Sequence, residues 1–382
     1  MNETSKMAFS LKTSALRAYV MLAVLALIWL FFQYKTGGTF LSSDNLSNLS
    51  LQTSVTGILA VGMLMLIVAG QIDLSVGSVL GFAGAVAAIA LNSFGYNLVF
   101  VILLAIMVGL LIGLFHGFLT SYFNIPAFIV TLGGLLAWRG AVKGVTQSET
   151  IPISDAAYKY LGQGSVPYTL GWILAGVAIL FVLAMAINRA RRQETYGLGK
   201  ANYTKELLNS IIPIIFIVVF IYVMNSSKGV PIPVLILLLV ALLGAFITGN
   251  TTFGRYLYAI GGNPDAARLS GINNRRNILK VFALLGALTG IAALINTARL
   301  SSASTDDGTL KELDAIAACV IGGASLMGGR GTIFGACLGA LIMASLDNGM
   351  SLMRLDDYLK DIIKGAILVS AVGLDMFGRK NS

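Results

Sequence analysis

Apolar stretches separated by short polar ones run through almost the whole chain. A bilayer is crossed by about 20 mostly apolar helical residues. The pattern therefore predicts about twelve spans, near 18–34, 52–70, 75–92, 98–119, 126–145, 167–187, 207–226, 231–248, 278–298, 313–328, 331–348 and 361–377, several of them short. The expected fold class is all-α: a polytopic integral membrane protein forming one transmembrane domain over 1–382, with a polar loop at 249–277 inside it. The first apolar run follows Lys6, Lys12 and Arg17 in the manner of a signal peptide. No small-x-small cleavage site and no hydrophilic domain come after it, so it is read as a retained span.

Composition agrees, since 57% apolar residues, 11% charged residues and a mean hydropathy of +0.84 exclude a soluble globule. The 43 glycines against 7 prolines suit helices packed backbone to backbone, which is how helices associate in lipid. Gly77/Gly81, Gly109/Gly113/Gly117 and Gly335/Gly339 carry the spacing. Cys319 and Cys337 form no C-x-x-C or Cys/His cluster, so neither a metal site nor a disulfide framework is indicated. His116, the one histidine, reads as a packed and hydrogen-bonded side chain to which no chemistry is assigned. No cofactor, catalytic residue or nucleic-acid partner is expected; the surrounding partner is membrane lipid.

Charge sets the expected orientation, because inner loops are enriched in Lys and Arg. With both termini cytoplasmic, the inner side holds 16 basic and 6 acidic residues, a net +10, and the outer side 10 basic and 11 acidic residues, a net −1. The loop 249–277 then faces the cytoplasm.

Within it, "AIGGNPDAARLSGINNRR" (259–276) carries the signals of a short helix. Asn263 caps the free N–H groups, Pro264 fits the first position, Asp265 meets the positive end of the dipole, Arg268 the negative end, and Gly271 supplies a left-handed stop. Two turns are marginal alone, so the face of Ala266, Ala267, Leu269 and Ile272 needs support, either from the membrane domain itself or from a partner. No G-x-x-x-x-G-K-[ST] phosphate loop exists: "GGRGT" (328–332) lacks the Lys-Ser/Thr, and "GLGKA" (197–201) lacks the hydroxyl after Lys.

The segment "YAIGGNPDAARLSGI" resembles the cytoplasmic coupling helix of permease subunits of bacterial monosaccharide ABC importers, the group of the ribose, galactose, arabinose and xylose permeases. So do "GILAVGM" (57–63), "IDLSVGS" (72–78), "IPAFIVTLGG" (125–134), "VPIPVL" (230–235), "ELDAIAACVIGGASL" (312–326) and "MASLDNGMSLM" (343–353), in the same order from about residue 50 onward. The extra spans 167–187 and 207–226, with the loop of Arg189, Arg191 and Arg192 between them, are similar to the longer D-xylose branch. Gln71 and the tail "GLGKANYTKE" (197–206) depart from the pattern; D-xylose is the sugar the resemblance implies, with ribose, arabinose and galactose as alternatives. The resemblance implies that Asn263, Pro264, Asp265, Ala266, Ala267, Arg268, Leu269, Ser270, Gly271 and Ile272 sit in a cleft of an ATP-binding cassette subunit, with Ala267 facing that partner. It also implies an extracytoplasmic sugar-binding protein, a second copy of the chain and a place in the bacterial inner membrane. An ion-coupled secondary sugar carrier is the competing reading.

Motifs recur between the halves, 71–88 with 312–329 and 108–119 with 334–346, and the helices are offset by seven, an odd number. Spans 2–5 and 9–12 are therefore expected to form an inverted repeat with the route between them. Asp73 and Asp314 close the turns "QID" and "ELD", where each is expected to cap a helix start, to pair or to face water, with the cap set against direct sugar contact. Gln71, Asn124, Asn296, Glu312, Asp347 and Asn348 are further candidates to line the route. The polar segment 299–314 is either a solvated connection or, by the resemblance, part of an outer gate or a seat for the binding protein.

Overall fold

The computed structural model describes residues 3–195 and 202–380. The expected basic loop between 188 and 206 falls partly outside them, Lys200 included. Five helices come first: α1 (Glu3–Lys35), α2 (Ser43–Val68), α3 (Val76–Asn92), α4 (Leu98–Tyr122) and α5 (Ala127–Thr146). Then follow β1 (Ile151–Pro152), α6 (Ala156–Gln163), α7 (Tyr168–Thr195), α8 (Tyr203–Asn225), α9 (Ile232–Asn250), α10 (Thr252–Gly262) and α11 (Pro264–Leu269). The chain closes with α12 (Asn274–Leu300), β2 (Ser302–Ala303), α13 (Lys311–Ile321), α14 (Ile333–Leu352) and α15 (Asp357–Lys380).

Side-chain caps start many of the helices: Ser42 on Asn45 N, Asn97 on Phe100 N, Thr251 on Gly254 N, Asn273 on Arg276 N and Thr332 on Gly335 N. Among the described residues, eight helices are long and apolar enough to cross a membrane: α2, α4, α5, α7, α8, α9, α12 and α14. A helix lies at every predicted span, but two are short. At 1.5 Å per residue, the 17 residues of α3 reach about 25 Å and the 11 of α13 about 16 Å, against a hydrocarbon core of about 30 Å. The expected span 313–328 is thus corrected: its helix ends at Ile321, where Gly322 and the left-handed Gly323 (φ 86°) break it.

α2 is the axis of the bundle. In its most apolar stretch 89% of residues are buried, against 17% in α7, α8 and α9, whose apolar faces are left for lipid. α2 packs on α12, α14, α9 and α13, while α12 packs on α4, α2, α3 and α6. Predicted small-residue pairs lie at the closest crossings. Gly109 and Gly113 of α4 press on the carbonyls of Gly286 and Phe282 in α12, and Gly339 of α14 presses on that of Ala318 in α13.

The two ends of α12 mark the two ends of the molecule. At one end β1 pairs with β2, and Tyr158 of α6 bonds Thr297 Oγ1 through its hydroxyl at 2.8 Å. At the other end the loop 249–277 is folded into α10 and α11. There Gly329 N donates to Val68 O at 2.9 Å and Tyr258 Oη to Gly331 O at 2.8 Å. Both connections that follow the axis helices turn back into the bundle, 69–75 after α2 and 301–310 after α12, and the first turns of α3 and α13 meet there. Gly77 abuts the Gly308 carbonyl and the Glu312 carboxylate, and a methyl group on Gly81 would lie 2.6 Å from Asp307 O.

Candidate functional site

The α11 end carries the first candidate element. Asn263 Oδ1 accepts from Asp265 N at 3.1 Å and Ala266 N at 2.9 Å, Pro264 stands at the first helical position, and Gly271 takes φ 83°. The helix is six residues long, and Asn274 Nδ2 donates to Pro264 O at 2.8 Å to tie it to α12. One expectation is overturned. Ala267 is only 4% exposed and packs into its own chain, so it does not present itself to a partner. The outward face is Asp265, Ala266, Arg268, Ser270 and above all Leu269, which is 84% exposed.

Beside α11 lies a groove of about 430 Å³ between Gly261 and Gly262 on one wall and Met327 and Arg330 on the other. Here the end of α10 touches two other segments. Gly261 rests on the Val68 carbonyl at the end of α2, and Gly328 and Gly329, in the turn after α13, rest on Gly261 and Gly262. Backbone contact thereby links the end of α10 to the segments that lead into α3 and out of α13.

The mouths of α3 and α13 form the second candidate region. Asp73 is buried, and its Oδ1 accepts from Ser75 N at 2.7 Å and Ser75 Oγ at 2.6 Å; Leu74 N donates to Thr131 Oγ1 of α5 at 3.1 Å. The capping expectation is met here only as a turn ahead of the helix, since the cap residue Ser75 makes no side-chain cap bond. For Asp314 the cap is corrected and the pairing alternative is the one met. Asp314 lies within the first turn of α13 and is ion-paired, to Lys311 at 2.9 Å and to Lys364 of α15 at 3.2 Å. Lys364 also holds Asp347 of α14 at 2.6 Å, and Lys311 stands 3.9 Å from Asp347, which closes a quartet of two cations and two anions. The reason is local: Leu310 precedes α13 in a left-handed conformation (φ 60°) without a side-chain cap, and the helix starts before Asp314. The segment 301–310 is held by Arg139 of α5, whose Nη1 donates to Thr305 O at 3.0 Å and Asp307 O at 2.9 Å.

The other candidates are placed less uniformly. Glu312 is buried against Gly77, with Oε2 unpaired, and joins the meeting of the mouths. Gln71 is half-buried in the turn after α2, and Asn296 is buried in α12. Asn124 is exposed in the turn after α4, and Asn348 is tied to Asn45 by two amide hydrogen bonds at 2.8 and 3.1 Å, a helix-to-helix clamp. Sequence reasoning passed over Ser75, Trp138, Arg139, Lys311 and Lys364. A signal was present in two of them: Arg139 and Lys364 are charges inside predicted spans, where an ionisable group is costly and marks function. A cavity of about 60 Å³, room for a water or two, lies beside Asp314 and Lys364.

Short helices that meet mouth to mouth within a bundle are how transport permeases place polar groups at membrane depth. The chain belongs to the family described as branched-chain amino acid transport system / permease component, which matches residues 45–372. It is 46% identical over 377 residues to the xylose transport system permease protein XylH of Haemophilus influenzae, covering 97% of this chain and 99% of that protein. It is 44% identical over 372 residues to XylH of Escherichia coli K12 (97% and 95%) and 34% identical over 336 residues to the ribose import permease protein RbsC of the same strain (88% and 87%). No solved structure matches the chain.

Proposed function

We propose that this chain is the transmembrane permease subunit of an ATP-driven monosaccharide importer of the bacterial inner membrane, and that its sugar is D-xylose. The observation that carries the reading is likeness over nearly the full length to proteins described as xylose transport system permeases. The capped helix α11, with Leu269 standing out of it, supports a docking role toward a separate ATPase subunit. A sugar-binding protein on the β1–β2 side and a second copy of the chain complete the assembly. Asp73, Glu312, Asp314 and Asp347 are the side chains we assign to the route, because they gather where α3 and α13 meet.

The basic side is cytoplasmic, both termini included, and the helices at the predicted spans fall into two repeats of opposite direction, α2–α5 and α12–α15. Exchanged packing supports the repeat: α2 lies on α13 and α14, and α12 on α3 and α4. Its register starts α3 at Val76 against α13 at Lys311, some residues away from the pairing of the "QID" and "ELD" motifs.

The test is reconstitution in vesicles with an ATP-binding cassette ATPase subunit and a sugar-binding protein, followed by a sugar screen. ATP-dependent xylose uptake with weaker ribose uptake is expected. Uptake driven by a proton or sodium gradient without ATP overturns the reading. Orientation is checked with single cysteines at Asn202 and Asn274 in a cysteine-free background, which are expected to resist impermeant thiol reagents in intact cells.

A further inference from the structure

His116 is buried in α4 at 1% exposure, and the transport route above gives it no task. Its ring stands in a prepared slot. A methyl group on Gly134 of α5 would lie 2.7 Å from its Nε2 and 3.2 Å from Ser75 Cβ, so α5 is bare where the imidazole enters. One turn along α5, Trp138 donates its indole N–H to Nε2 at 3.1 Å. Indole is a donor only, which makes Nε2 the acceptor and leaves the proton of the neutral ring on Nδ1. Nδ1 lies 3.3 Å from Ser75 Oγ and 3.9 Å from Asp73 Oδ2, and Ser75 Oγ donates to Asp73 Oδ1 at 2.6 Å. Every donor thus points the same way, from Trp138 to His116 to Ser75 to Asp73, and in a buried chain each bond polarises the next.

We propose that His116 is a positioning residue for transport. Neutral and protonated on Nδ1, it holds Ser75, and through Ser75 the Asp73 carboxylate, at the mouth of α3. Trp138 fixes the tautomer that makes this possible, since an imidazolium would turn a second N–H toward the indole N–H and lose that bond. The inference rests on the transport reading for its consequence and on geometry alone for its chemistry, so the two are tested separately.

Because the chain has one histidine, ¹⁵N-histidine labelling of protein carrying a histidine-free tag gives a single imidazole to follow. The Nδ1–H tautomer is expected, with the Nε2–H form gaining population in Trp138→Phe. An Nε2–H or doubly protonated ring in the wild-type protein overturns the proposal whatever the substrate proves to be. In vesicles, His116→Phe keeps the ring and removes the hydrogen bonds. It is expected to retain the ATPase subunit on purification while ATP-driven uptake falls about tenfold, the scale of one buried hydrogen bond. His116→Asn, whose amide can donate to Ser75 from the place of Nδ1, is expected to recover much of that loss. Trp138→Phe should slow the wild type yet add nothing to His116→Phe. Wild-type uptake by His116→Phe, equal failure of the Phe and Asn variants, or losses that multiply in the double variant would each overturn it. Where His116→Phe does not insert, Ser75→Ala takes its place in the same double-variant comparison with Trp138→Phe.

Discussion

The mouths of α3 and α13 face each other and are held by opposite means. At α3 a single carboxylate, Asp73, is satisfied by the hydroxyl and backbone N–H of Ser75, two residues away in sequence, and backed by His116 and Trp138. At α13 two carboxylates and two ammonium groups from three helices neutralise one another, with Lys364 lying 50 residues from Asp314. The first arrangement keeps most of its hydrogen bonds when one member is lost. The second leaves a buried charge. Among the described residues α13 is the main packing neighbour of α15. Loss of a single side chain is therefore expected to disturb the α13–α15 side more than the α3 side.

Adding bulk where the mouths touch removes the distinction, and the largest effect is expected there. At Gly77 any side chain meets the Gly308 backbone and the Glu312 carboxylate. Gly77→Val is expected to abolish uptake, with overpacking of about 1–3 kcal/mol or more on both mouths at once. Uptake by this variant at even half the wild-type rate would show that the two short helices do not need to touch.

Lys364→Met is next. Breaking a buried ion pair by removing one partner costs about 3–5 kcal/mol when the other charge is left uncompensated; here Lys311 stays 2.9 Å from Asp314 and 3.9 Å from Asp347, so the lower part of that range applies. The variant should unfold at a lower temperature in detergent, and Lys364→Met with Asp347→Asn should regain more than half of the loss. If the double variant is no better than the single one, the quartet is not what holds α15.

Ser75→Ala sharpens the contrast from the other side. Asp73 keeps the Ser75 N–H at 2.7 Å and loses one hydroxyl, so about 1 kcal/mol is expected, with insertion intact. A loss as large as that of Lys364→Met would make the two mouths equivalent after all.

What could be read from the sequence divides along the same line. α11 was legible almost residue by residue, because a cap at Asn263, a proline at 264 and a left-handed Gly271 are signals within one short stretch. The orientation of Ala267 was not, since two turns give no periodicity to say which face is buried. The start of α13 was hidden for a local reason: Leu310 takes a left-handed conformation that nothing in "GTLKELD" announces, so Asp314 looked like a cap. Lys364 as its partner, and His116 with Trp138 and Ser75, are pairings between distant helices, which spacing along the chain does not record. The packing of Gly109 and Gly113 on α12 was anticipated as a small-residue surface because lipid-embedded helices depend on such contacts.

The smallest expected effect is a dependence on pH in the segment leading into α13. Asp307 is buried, and burial raises its carboxyl above the ordinary carboxylate range, partly offset by the Ser304 N–H at 3.1 Å and by Arg299 and Arg139 nearby. A carboxyl raised in the folded state binds its proton more tightly there than in the open chain. The folded segment is therefore favoured at low pH, and this stability is lost as pH climbs from the ordinary carboxylate range through the raised value. Hydrogen exchange over 304–310, corrected for intrinsic rates, should show more frequent opening at neutral than at mildly acidic pH. Asp307→Asn, which keeps an acceptor for Ser304 and has no proton to lose, should flatten that dependence while Arg139 still holds the carbonyls of Thr305 and Asp307. An equal pH dependence in both proteins would assign the titration to another group and leave Asp307 a neutral bystander in the turn.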